Sequence, residues 1–241
     1  MWGGKGKGPV FLLGGSAALE AANPEFIRAA GGHNARIVLL LGGGKGWRKY
    51  VPQYVEPWLH LGIGSYRVIA PDEDGSLDLR ETTAALRWAT GIFIGGGHTP
   101  TYHRLYASEP LRGLIRGRCR EGVPIVGLSA GALIIPEACV LPGEAGGSSP
   151  EIVGGLGLLG GIVVKVHFSG WQDIPALLKA MAEAGVRTGW GLGESACAVF
   201  GEEGFVAALG GTVYEISLVD PETGRYKITT HSPLPPAASS G

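Results

Sequence analysis

Apolar runs of four to seven residues recur through the first half of the chain, each bounded by Gly or Pro and followed by a longer segment with apolar residues at helical spacing. Val10-Phe11-Leu12-Leu13 is the first. Ile37 to Leu41, Tyr66 to Ala70, Ile92-Phe93-Ile94 and Pro124 to Val126 follow, with helices expected near 17–30, 47–60, 78–89 and 101–120 between them. Short strands that are apolar at every position are buried on both faces. Their alternation with helices is that of βαβ units, so the pattern predicts a three-layer α/β fold: a mostly parallel sheet with helices on both faces. A strand over 123–128 turns at Ser129 into the apolar helix start Ala130-Gly131-Ala132-Leu133-Ile134-Ile135. After Pro136 the pattern loosens. The Gly/Ser/Pro-rich stretch 142–161 reads as a long loop, Ile162 to Phe168 as a strand with His167 near its end, and 174–185 as a helix. The runs Ala196 to Phe200, Phe205 to Leu209 and Val213 to Leu218 predict antiparallel hairpins on the sheet edge. Residues 1–231 read as one domain and 232–241 as a disordered tail containing Pro and Ser.

Composition narrows the class of molecule. Hydrophobic residues make up 45% and charged residues 17%, which excludes a disordered chain, and no apolar run approaches the roughly 20 residues that span a bilayer. A formal net charge of −1 gives no reason to expect nucleic acid, and Arg112, Arg116, Arg118 and Arg120 fit a solvated helix end. The N-terminus has no signal-peptide cleavage pattern, so a cytoplasmic location is expected. Cys119, Cys139 and Cys197 are odd in number and far apart, which implies buried thiols and neither a disulfide framework nor a metal site; no cofactor is expected.

Gly127-Leu128-Ser129-Ala130-Gly131 fits the G-x-S-x-G nucleophile elbow, in which flanking glycines make room for a strained strand-to-helix turn. About 0.4 matches to so short a pattern arise by chance in a chain this rich in Gly, so the weight rests on its place between a strand end and a helix start. The bland alternative is a helix-capping serine. A serine nucleophile needs a base and the base an orienting acid. His33, His60 and His231 are placed away from the carboxyl edge of the sheet or in the tail, which leaves His98, His103 and His167. Free N–H groups of Gly95-Gly96-Gly97, together with that of Ala130, form a candidate oxyanion hole. The glycine runs fit no nucleotide-binding pattern.

These residues resemble the peptidase E and cyanophycinase group of serine peptidases. The likeness runs from Val10 to about Val199 and rests on Phe93-Ile94-Gly95-Gly96-Gly97-His98-Thr99, the Ser129 elbow, Val166-His167-Phe168 some 38 residues later, and Gly191-Leu192-Gly193-Glu194. The resemblance implies the class I glutamine amidotransferase-like fold. It makes Ser129 the nucleophile, His167 the base, Gly97 and Ala130 the oxyanion donors, and His98 and Thr99 substrate contacts. For the acid it favours Glu144, about 15 residues after the serine, with Glu194 the rival and Glu137 third. One departure concerns substrate. Family members acting on cyanophycin carry an acidic residue two before the histidine and arginines soon after it, whereas this chain has Lys165 and Ser169-Gly170-Trp171-Gln172. Lys165, Arg104, His98 and His103 are the remaining basic candidates.

The function expected on these grounds is hydrolysis of a small peptide, acidic or β-aspartyl by resemblance, through an acyl-enzyme on Ser129, without metal, nucleic acid or membrane. The alternative is a catalytically inactive small-ligand-binding module on the same scaffold. A cysteine hydrolase is opposed by the serine at the elbow, and antiparallel edge strands leave a homodimer open.

Overall fold

Four of the expected strands are buried at alternate positions into two different cores, and that alternation builds the layers. Val10, Leu12, Val38, Leu40, Ile92, Ile94 and Ile125 enter one core, while Phe11, Leu13, Ile37, Leu39, Phe93, Val126 and Leu128 enter the other. The molecule is described by a computed structural model, which covers residues 6–141 and 150–233. Its strands β1 (Val10–Leu13), β2 (Arg36–Leu40), β3 (Ser65–Ile69), β4 (Gly91–Ile94) and β5 (Ile125–Leu128) run parallel in the order β3-β2-β4-β5-β1. Helices α1 (Leu19–Ala29) and α2 (Val51–His60) cover one face. Helices α3 (Leu79–Trp88), α4 (Thr99–Tyr106), α5 (Leu111–Arg120) and α6 (Ala130–Ile134) cover the other. No helix among the described residues is long and apolar enough to cross a membrane.

The α1–α2 face is fixed by aromatic packing. Phe93 of β4 lies 5.3 Å from the Trp58 ring, 5.4 Å from Tyr54 and 5.9 Å from Phe26, centroid to centroid, in tilted and edge-on arrangements favoured by ring quadrupoles. Trp58 donates its buried indole N–H to the Asn23 side-chain oxygen at 3.0 Å, which ties α2 to α1. Through Tyr54 this cluster sets the position of one wall of the cleft described below.

Beyond α6 the chain forms an antiparallel ribbon of β6 (Ala138–Leu141) and β7 (Glu151–Gly154). A second sheet follows, built from β8 (Ile162–Lys165), β9 (Thr188–Leu192), β12 (Val213–Asp220) and β13 (Arg225–His231) in the order β13-β12-β9-β8, with α7 (Ile174–Ala184) packed on it. The hairpin β10 (Cys197–Gly201) and β11 (Gly204–Leu209) returns to the first sheet, antiparallel beside β1.

Several elements depart from the sequence reading. The helix expected over 101–120 is two, α4 and α5, because Pro110 has no N–H to give and disfavours helical backbone at Glu109. Only the first hairpin lies on the main sheet; the run at Val213 pairs with β9 and β13 instead. His231, expected in the tail, closes β13, and its Nε2 lies 2.9 Å from the Glu215 carboxylate. The loop expected over 142–161 contains β7, while 142–149 and the tail from 234 onward lie outside the described residues. The strand expected over Ile162 to Phe168 stops at Lys165, and the backbone bends at Val166 and His167.

The β5–α6 junction shows why the elbow pattern needs its glycines. A Cβ on Gly127 would lie 2.6 Å from the Gly131 carbonyl carbon, and one on Gly131 would lie 2.4 Å from the Ile94 carbonyl oxygen. Strand and helix therefore meet at backbone distance, and the residue between them must absorb the turn. Ser129 does so at φ 49°, ψ −109°. With His167 at φ 52°, it is one of two non-glycine residues with positive φ among the described residues. Such backbone costs about 1–3 kcal/mol per residue and persists only where the surroundings enforce it. Ser129→Gly is accordingly expected to be more stable than Ser129→Ala by about 1 kcal/mol in urea denaturation. A glycine variant no more stable than the alanine one would remove the strain from this position.

Candidate active site

Two successive carbonyls at the end of β1 hold the two strained residues. Leu13 O accepts the Ser129 N–H at 2.9 Å, and Gly14 O accepts the His167 N–H at 3.3 Å. The next segment of chain arrives at the same point. A Cβ on Gly14 would lie 2.2 Å from Gly193 O, and one on Gly15 would lie 1.8 Å from a Glu194 carboxylate oxygen. The glycine pair after β1 thus lets Ser129, His167 and Glu194 converge from three separate stretches of sequence.

Their side chains form a line. Ser129 Oγ lies 2.8 Å from His167 Nε2, and His167 Nδ1 bonds the Glu194 carboxylate on the other side of the ring. An ionised carboxylate can only accept, so Nδ1 carries the ring proton and donates it to Glu194. That leaves the Nε2 lone pair to accept the Ser129 hydroxyl. The hydroxyl makes no capping bond to α6, so the serine does not serve as a helix cap. Glu194 is 63% exposed and His167 51%, which makes the carboxylate an orienting partner in contact with solvent rather than a buried charge.

The turn that carries His167 has its own fastening. Asp173 accepts from both the amide and the hydroxyl of Ser169 at 2.6 Å and pairs with Lys165 at 3.2 Å. Burial pushes the Asp173 carboxyl up, but the Ser169 hydrogen bonds and the Lys165 ammonium outweigh it and hold the group below the usual carboxylate range.

Beside Ser129 the Gly96–Gly97 peptide is clamped from behind. Tyr102 donates its hydroxyl to Gly96 O at 2.9 Å, and in a trans peptide the next N–H, that of Gly97, points the opposite way. Gly97 sits at φ 153° and a Cβ there would lie 3.1 Å from the Tyr102 ring, so glycine suits both backbone and space. The N–H groups of Gly97 and of Ala130, the first residue of α6, have no backbone acceptor among the described residues. Burial raises the Tyr102 phenol far above its ordinary range, so it stays a neutral donor.

A cleft of about 400 Å³ opens over these groups, with Leu41, Trp47, Tyr50, Tyr54 and Gln53 forming much of its wall. Sequence reasoning did not find this wall, nor Tyr102. Their aromatic positions carry no motif.

The other expected site residues lie elsewhere. His98 is exposed beside Thr101 Oγ1 at 3.0 Å, Thr99 is buried, and neither lines the cleft. His103 bonds Gly154 O at 2.9 Å. Glu137 is exposed, with no bond to the histidine. Glu144 lies outside the described residues. The three cysteines are buried and free; burial pushes Cys119 up to about 11, Cys139 up to about 12 and Cys197 higher still, which leaves all three as inert thiols. No cluster of metal-ligating side chains occurs among the described residues.

Comparison with known proteins gives the chain its family. The chain is 27% identical over 174 residues to the cyanophycinase of Trichormus variabilis, a match covering 70% of this chain and 58% of that protein. It therefore spans less than two thirds of the length of that relative. With the cyanophycinase of Synechococcus elongatus it shares 26% identity over 234 residues, 93% of this chain and 72% of the other. The crystal structure of a peptidase from an acI-B1 Actinobacterium has the same fold, with a TM-score of 0.65 at 19% identity, covering 96% of this chain and 93% of that one. The model of peptidase family S51 matches residues 10–207, which take in the parallel strands, β8 and β9 of the second sheet and all three residues of the Ser129–His167–Glu194 line, and the chain belongs to that family.

Proposed function

We propose that the protein is a serine peptidase that hydrolyses small peptides through an acyl-enzyme on Ser129. The observation that carries this reading is the 2.8 Å contact between Ser129 Oγ and His167 Nε2, made by a histidine whose other nitrogen already donates to Glu194. In the first half-reaction His167 takes the hydroxyl proton as Ser129 Oγ bonds to the scissile carbonyl carbon. The carbonyl π electrons move to oxygen, and the resulting oxyanion is received by the N–H groups of Gly97 and Ala130. Glu194 stabilises the imidazolium. Collapse of the intermediate breaks the C–N bond, and the proton on His167 passes to the leaving amine. A water molecule then gives its proton to His167 and attacks the ester, and the acid product leaves with Ser129 Oγ protonated again.

A catalytically inactive binding module would gain nothing from strained backbone at both Ser129 and His167, which is the observation that favours the enzyme. The acidic or β-aspartyl preference implied by the family resemblance concerns a different part of the site, the lining of the cleft.

Incubation with a small fluorophosphonate and intact-mass measurement tests the nucleophile. The native protein is expected to gain one adduct, Ser129→Ala none, and Glu194→Gln one that forms about 10- to 1000-fold more slowly. An adduct on Ser129→Ala, or native-rate labelling of Glu194→Gln, would contradict the assigned roles.

Tyr102→Phe removes the hydroxyl behind Gly96 while keeping the ring. Its expected effect is a fall in kcat of about tenfold with KM little changed, because the Gly97 N–H matters most when charge develops on the carbonyl oxygen. An effect on KM alone would place Tyr102 in substrate binding instead.

A further inference from the structure

We infer that the cleft selects peptides with an apolar side chain on the residue whose carbonyl is attacked, and rejects acidic ones. The inference rests on the serine-peptidase reading and concerns the substrate class of that site.

Charge is the first argument. Glu194 is the one carboxylate lining the cleft, and no Lys or Arg lines it among the described residues. A substrate carboxylate would enter beside another carboxylate and without a cation among the lining side chains to pair with. The basic groups that sequence left open are engaged elsewhere. Lys165 pairs with Asp173 at 3.2 Å, Arg104 donates to Gly75 O at 3.2 Å, and the rings of His98 and His103 bond Thr101 and Gly154. Arg48 and Lys49, beside the wall in sequence, lie over the Trp47 and Tyr50 rings at 4.6 and 4.9 Å and do not line the cleft. Residues 142–149, outside the described structure, contain no Lys or Arg in their sequence.

The wall is the second argument. Trp47 and Tyr50 lie on a 3₁₀ turn (Trp47–Tyr50) that leads into α2, Tyr54 follows one turn later, and Leu41 comes from the end of β2. Tyr50 is 51% exposed, so its ring is open to a ligand entering the cleft. Burial raises the Tyr54 phenol above its ordinary range, so this part of the wall stays uncharged. Gln53 adds a neutral amide able to meet a peptide group. Aromatic faces with one amide favour a hydrocarbon side chain on a polar backbone.

The test is a panel of Xaa-p-nitroanilides, free and N-acetylated, with Xaa as Phe, Leu, Ala, Asp or β-linked Asp, run beside fluorophosphonate labelling of the same protein. The kcat/KM for Phe or Leu is expected to exceed that for Asp or β-linked Asp by about 100-fold. Trp47→Ala should cut the Phe-to-Ala ratio about tenfold. A labelled enzyme that prefers Asp or β-linked Asp, or turns over none of the apolar members, overturns the inference while leaving Ser129 a nucleophile. An unchanged Phe-to-Ala ratio in Trp47→Ala overturns the assignment of the wall. Neither labelling nor turnover of any member overturns the serine-peptidase reading and this inference with it.

Discussion

The end of β1 is the point on which the site depends. Its last carbonyl and the next one take the backbone N–H groups of Ser129 and His167, and the glycine supplying the second carbonyl has room for nothing larger against Gly193. Those two hydrogen bonds reach residues 38 positions apart on different sheets. Both residues are held at positive φ, a conformation their own side chains disfavour, and it is sustained by packing that a single loop could not supply. Strand β1 lies between β5 and β10 in the interior of the sheet, so its end is held on both sides.

On the proposed reading, chemistry and selection fall to different parts of the site. Ser129, His167 and Glu194 are brought together by strand ends and glycine contacts, which tolerate little variation. The aromatic wall comes from the 3₁₀ turn and first turn of α2, anchored through Tyr54 onto Phe93 but otherwise half-exposed. Side chains there can change without disturbing the β1 end. A family fold and a nucleophile therefore do not fix the substrate, and the contents of the cleft carry that information.

The layered core was legible in the sequence because strands buried on both faces are apolar throughout, and Val10–Leu13 and Gly91–Ile94 are completely so. The Ser129 elbow was legible because its glycines answer a local steric demand. What linear order expresses poorly is long-range approach. Glu194 reaches His167 because Gly193 packs on Gly14, a contact between residues about 180 positions apart, and spacing from the serine pointed first to Glu144. Strand β13 was missed because Arg225–His231 is mostly exposed and has only Tyr226 and Ile228 as apolar residues, with its pairing to β12 supplying the order. The cleft wall left no trace for a similar reason: Trp47, Tyr50 and Tyr54 are ordinary aromatic residues until α2 is placed.

The measurement that bears most directly on the account is ¹⁵N NMR of the His167 ring in the native protein and in Glu194→Gln. Held between the serine hydroxyl and a carboxylate, the neutral ring is expected to carry its proton on Nδ1, with that proton resonance far downfield and lost in the variant. A His167 ring protonated on Nε2, or a spectrum indifferent to Glu194, would contradict the convergence of these three residues at the end of β1.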